Sequence, residues 1–260
     1  LIAAGDTTSL TKTPETPSTA NKYAETRIYT LPEDGKAHVT EISETVTGSE
    51  DSFQRHYYAE SDRTKYREQI ENYVKSYYSA RKLEKVEATD PHDLTKPFRV
   101  TIEAADAETG IARDGDAAVA FHPANLLNWL PFPIRNYGDD HAEESRRKRV
   151  GDFVFPAAGV REWTYRIVPP PGYAVRTLPP NETTKLGTTT LTKEFTSQPD
   201  GNVIAILRFD SGPRRISASE FEETRAAMKR VHDSKPAIIG FDLIGQAQPN
   251  AGHVTHARAA

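Results

Sequence analysis

Residues 163–180 read WTYRIVPPPGYAVRTLPP. Trp163, Tyr165 and Ile167 alternate with Thr164 and Arg166, the period of a strand with one face buried. Three prolines and a glycine then stop it, because proline has no amide for a ladder and fixes its own φ. Beyond that corner Tyr173 and Val175 resume the alternation up to Leu178 and a second proline pair. Downstream, TTTLTKEF (188–195) and NVIAILRFD (202–210) flank SQPDG, the signature of a hairpin. Several strands at short spacing with Pro and Gly corners predict a β-sandwich in the C-terminal half.

Working outward, residues 1–21 are rich in Thr, Ser and Pro without an apolar period and read as a linker. YAETRIYTL (23–31) and KAHVTEISETVTG (36–48) flank the turn PEDG and predict a second hairpin. FQRHYYA (53–59) reads as a third strand. From Asp62 to Arg81 the apolar positions Tyr66, Ile70, Tyr73, Val74, Tyr77 and Tyr78 fall three and four apart, which puts them on one face of a helix. Ser61 or Asp62 can cap it. FRVTIEA (98–104) alternates as a half-buried strand, a short apolar strand surrounds Val119 and Phe121, and Leu126 to Ile134 reads as a buried crossing. A short helix is expected from Ser219, with Glu222 completing a capping box, followed by a last strand in AIIGFDLIG (237–245). The fold class expected is mainly β, of α+β type: 1–21 linker, 22–140 a sheet with one packed helix, 141–246 a β-sandwich with a short helix, 247–260 a disordered tail.

Composition narrows the function. A formal net charge of −4 over 260 residues offers no basic field for phosphate backbones, so no nucleic-acid partner is expected. No window approaches the roughly 18 consecutive apolar residues of a membrane-spanning helix. The chain contains no cysteine, which removes disulfides, thiolate nucleophiles and cysteine-ligated zinc. Because the first residue is Leu1 and the one Met is Met228, a mature fragment or an excised domain is expected.

Each candidate for chemistry has a plainer counterpart. Asp139, Asp140, His141, Glu143 and Glu144 hold ligand types suited to a divalent cation, but their spacing fits no defined loop and reads as a solvated connection. The neighbouring Arg146, Arg147, Lys148 and Arg149 read as a solvated run partly neutralised by that acid. His92 beside Asp93, and His122, lack a nucleophile elbow to serve. His253 and His256 sit in the tail, and Asn181-Glu182-Thr183 has the form of a glycosylation acceptor. The tyrosine row on the helix suggests an aromatic platform, yet a stripe at this spacing ordinarily packs on a sheet. No catalytic, cofactor-binding or metal-binding residue is assigned, and no cofactor is expected.

The second half resembles the C-terminal β-rich region of bacterial transglutaminase-like envelope proteins. The resemblance runs through Pro171, Gly172, Tyr173, Val175, Leu178 and Pro179, then through Ile216 and Phe221 at the entry to the last helix. DTTSLTKTPETPSTAN (6–21) is similar to that family's exit from its papain-like core, and LPEDGKAHVTEISETVTGSEDSFQRHYY (31–58) to the strand pair beyond it. The resemblance implies an accessory module in the periplasm or cell envelope, beside a core acting on peptide amides. The family's Cys, His and Asp set belongs to that core, so no catalytic residue carries over and the chain itself is not expected to be an enzyme. The partner implied is such a core domain or another envelope protein. The alternative is a stand-alone carbohydrate- or peptide-binding sandwich stacking ligands on Trp129, Trp163 and the helical tyrosines; a weaker one is a metal-dependent hydrolase built on the His141 cluster.

Overall fold

The computed structural model describes residues 15–45, 48–121, 130–135 and 149–245. In chain order, β1 (Lys22–Thr30) and β2 (Gly35–Thr45) form the predicted hairpin. They are followed by α1 (Ser49–Glu60), α2 (Arg63–Tyr77), β3 (Lys82–Ala88), β4 (Phe98–Arg113) and β5 (Asp116–Phe121). The short α3 (Phe132–Arg135) precedes β6 (Phe153–Val154), β7 (Val160–Val168), β8 (Tyr173–Val175), β9 (Glu182–Leu186), β10 (Thr189–Ser197) and β11 (Val203–Asp210). β12 (Arg215–Ile216), α4 (Ala218–His232) and β13 (Ala237–Leu243) end the described chain.

The fold is mainly β with packed helices, as the α+β reading expects. Its strands run in the order β8-β13-β5-β4-β2-β1-β7-β11-β10-β9, with β3 also on β4. The expected separation at 140/141 into a sheet and a sandwich is not how the strands pair. β1 lies parallel to β7 from Lys22↔Val160 to Thr30↔Val168, and β13 lies antiparallel to β5. The chain returns from beyond residue 149 to complete the sheet begun before residue 45, so the described strands on both sides of that line share one sheet. β6 and β12 form a separate two-stranded piece.

Other local expectations are revised. Residues 53–59 belong to α1, not to a strand. Asn21, within the expected linker, reaches across to accept from the Ser49 amide at 3.0 Å, which gives the first turn of α1 the partner its own sequence lacks. Gly48 at φ 85° makes room for that contact, since a Cβ there would lie 1.9 Å from Asn21 Oδ1. Asn21 also donates to the Ala158 carbonyl at 2.9 Å, so this end of the linker is tied to the body. Asp62 caps α2 by accepting from the Lys65 amide. Residues 82–88, for which the sequence reading names no element, form strand β3 against β4. The capping box of α4 sits two residues earlier than expected, on Ser217 and Glu220.

Along one face of the sheet, β7 buries Trp163, Tyr165 and Ile167, and β11 buries Val203, Ala205, Leu207 and Phe209. Leu191 and Phe195 of β10 complete this apolar floor. Its rows run straight on into β1 through Glu25↔Trp163, Arg27↔Tyr165 and Tyr29↔Ile167. There the composition changes.

Candidate functional site

β1 buries Tyr23, Glu25, Arg27 and Tyr29 in strict alternation. On β2 the same face carries Glu41 directly across from Arg27, with Ser43 across from Glu25 and Thr45 across from Tyr23. A period of two thus places two carboxylates and a guanidinium side by side under α2. All three residues are less than 5% exposed. An ionised group so buried requires a charged partner and satisfied hydrogen bonds, and tyrosines supply much of the second requirement.

Arg27 Nε donates to Glu25 Oε1 and lies 3.5 Å from Glu41 Oε2. Its Nη1 donates to the hydroxyls of Tyr77 and, at 2.9 Å, Tyr165. Glu41 Oε2 accepts from the Tyr78 hydroxyl and, at 2.6 Å, from that of Tyr73. Tyr23 donates to Glu25 Oε2 at 3.0 Å. The guanidinium also lies over the Tyr77 ring, 4.3 Å from its centroid, where the ring quadrupole favours a cation. The tyrosine row therefore packs on the sheet as expected, but its hydroxyls of residues 73, 77 and 78 turn inward to a polar floor.

Burial pushes the Tyr23, Tyr73, Tyr78 and Tyr165 hydroxyls well above the usual phenol range, so they remain protonated donors. Burial works against the Arg27 charge, but the Glu25 carboxylate and the tyrosines around it outweigh that and hold Arg27 cationic. Glu25 is lifted by burial to about 7; contact with Arg27 opposes the rise and the like charge of Glu41 adds to it.

Above this floor lies a cleft of about 530 Å³, bounded by β1, β2, β4, α1 and α2. Ile70, Phe98, Val100 and Ile102 give it apolar walls, while Gln54, Gln69 and Tyr66 add polar and aromatic groups. A pocket of this size, mostly apolar with a few convergent polar groups, is the usual form of a small-ligand site. A smaller pocket of about 180 Å³ lies near Arg27, between Tyr77, Tyr165 and Thr109.

Of the sequence-level candidates, the helical tyrosines Tyr66, Tyr73 and Tyr77 line this cleft. Asp139 to Glu144, Arg146 to Lys148, His122, Trp129, His253 and His256 lie outside the described residues. His92 is exposed and its backbone amide donates to the Asp90 side chain, while the Asp93 carboxylate accepts from Thr95 in its own turn. Arg149 lies 5.2 and 5.1 Å from the ring centroids of Phe153 and Phe221. Asn181 is exposed and its side-chain oxygen accepts from the Phe195 amide at 2.7 Å. Trp163 is 2% exposed. Among the described residues no group of three His, Cys, Asp or Glu side chains is placed to hold a metal ion. The missed residues are Glu25, Arg27 and Glu41. Their signal is the alternation Tyr23-x-Glu25-x-Arg27-x-Tyr29, which sets charges in register with aromatic residues on the buried side.

No family model matches the chain, and no curated protein matches it. Among solved structures, the crystal structure of a presumed protease from Parabacteroides distasonis aligns at 17% identity over 51% of this chain, with a TM-score of 0.33. The aligned part is 24% of that protein's own length, and a likeness this slight carries no argument. No helix among the described residues is long and apolar enough to cross a membrane.

Proposed function

We propose that this chain is a non-catalytic accessory module of a transglutaminase-like envelope protein, working beside a core domain that acts on peptide amides. The observation that carries the reading is how the two stretches of resemblance meet. β1, which joins the two N-terminal stretches of resemblance and pairs with β2, lies against the WTYRIV strand of the second half in parallel register over nine residue pairs. Parts separated by more than a hundred residues are thus one structural unit, which suits a module that docks as a whole. The carboxylates of the cleft under α2 are engaged by Arg27 and tyrosines, a floor built for holding rather than for attacking a bond. The direct test is the reading frame ahead of Leu1. A Cys, His and Asp core in frame supports the reading; a start codon immediately ahead of Leu1 overturns it, as does thiol-dependent amide hydrolysis or transamidation by the chain alone.

A second reading, a stand-alone peptide- or carbohydrate-binding module, is favoured by the cleft itself, whose walls include Tyr23, Tyr66 and Tyr73. Saturable binding in glycan and peptide screens, in a protein with no linked core, would favour it over the first.

A further inference from the structure

We propose that the cleft beneath α1 and α2 binds a primary alkylammonium group on an apolar stem, either a lysine side chain or a free alkylamine, with Glu25 as its principal counter-charge. The inference holds under either reading above and depends on neither.

The charge of the floor comes first. Glu25 and Glu41 bring two carboxylates and Arg27, in contact with both, one guanidinium, all buried, so the three groups when fully ionised sum to one negative charge. Such a charge is costly in a low-dielectric site unless a proton or a cation neutralises it. Among the described residues lining the cleft, Arg27 is the one cation. β1 presents Tyr23 beside Glu25, and α2 presents Tyr66, Tyr73, Tyr77 and Tyr78. β7 presents Tyr165. Arg161, outside that lining, sits 4.9 Å from the centroid of the Tyr23 ring and is paired at 2.7 Å with Glu50 of α1.

Shape comes second. Ile70, Val100 and Ile102 flank the polar floor with apolar surface suited to a methylene stem. Tyr23 and Tyr73 line the cleft beside these residues, and Ser43, opposite Glu25, adds an acceptor oxygen. A neutral sugar would leave the surplus charge unanswered, and an anion would add to it. A compact ammonium with an apolar tail matches both features at once.

Glu25 also links binding to pH. Its carboxyl titrates near 7, so below that pH a proton takes the place the ammonium would neutralise. Binding then requires loss of that proton and strengthens as pH rises.

The experiment is calorimetric and NMR titration of the full chain with n-hexylammonium at pH 8 and pH 6, with n-hexanol as the uncharged control. The expected result is saturable binding at pH 8, about tenfold weaker at pH 6 from the ionised fraction of a group titrating near 7, with hexanol weaker and indifferent to pH. Glu25→Gln should lose about tenfold or more at pH 8 and show no pH dependence. Should that variant fail to fold, Ile70→Trp, which fills the cleft from the helix side, should abolish binding while leaving the floor intact. A lysine-containing tripeptide and its Nε-acetyl form separate the two sources: a peptide that outbinds hexylammonium identifies a protein ligand, and the reverse order a free amine. Absence of saturable binding at pH 8 overturns the proposal. So do equal affinity for hexanol and equal affinity at both pH values.

Discussion

Two regions of one sheet face, side by side, are built in opposite ways. Across β7, β10 and β11 the face is apolar, from Trp163 and Ile167 to Leu207 and Phe209, and each residue contributes by leaving water. One strand further, across β1 and β2, the same rows hold Glu25, Arg27 and Glu41. Burying an ion pair seldom adds stability over an apolar core of equal volume. The apolar region holds the fold by leaving water; the polar region is the floor of the proposed alkylammonium site.

The largest effects should come from breaking each region by its own mechanism. Arg27→Met leaves two buried carboxylates without their cation and should cost about 3–5 kcal/mol in urea unfolding. Phe209→Ala opens a cavity in the apolar rows and should cost about 3–5 kcal/mol. The two separate on adding a neutral-making change: lowering the pH toward 5 should relieve part of the Arg27→Met defect, because the carboxylates can take protons, and should leave the Phe209→Ala defect as it is. An intermediate effect is expected for Tyr78→Phe. It removes a donor to Glu41 and should cost about 1–3 kcal/mol.

Much of the apolar region is readable from sequence, because a half-buried strand repeats every second residue. WTYRIV and VIAILRFD show that repeat, and the capping aspartate of α2 stands where its helical period begins. The polar region is harder to read because it breaks the usual expectation that strands bury apolar residues. Glu25 and Arg27 occupy buried positions of YAETRIY and look like surface residues until Tyr23 and Tyr29 fix the face. Pairing is hidden for a different reason. Nothing local in residues 22–30 or 160–168 states that they lie in parallel, since that contact depends on more than a hundred intervening residues. α1 escaped notice because its start is completed by Asn21, far behind it in the chain, and not by a neighbouring cap.

Smaller effects sharpen the contrast. Ser217→Ala removes the cap of α4 and should cost about 1 kcal/mol, seen as a modest fall in the unfolding midpoint with the cleft unchanged. The pH dependence of stability gives a further distinction. Glu25 titrates near 7 when folded and in the ordinary range near 4.5 when unfolded, so the folded state holds the extra proton between those values. Its contribution is complete below about 4.5 and is lost as pH rises through about 7. Urea unfolding across that window should show stability declining with pH, and Glu25→Gln should flatten this component.

The most direct single measurement is a carbon-detected NMR titration of the Glu25 side-chain carboxyl, free and with saturating n-hexylammonium. A midpoint near 7 in the free protein, moving down when the amine is added, is the predicted result. A midpoint near 4.5 that the amine leaves in place would mean a solvated carboxylate with no role in binding, and would contradict the division of labour between the two regions.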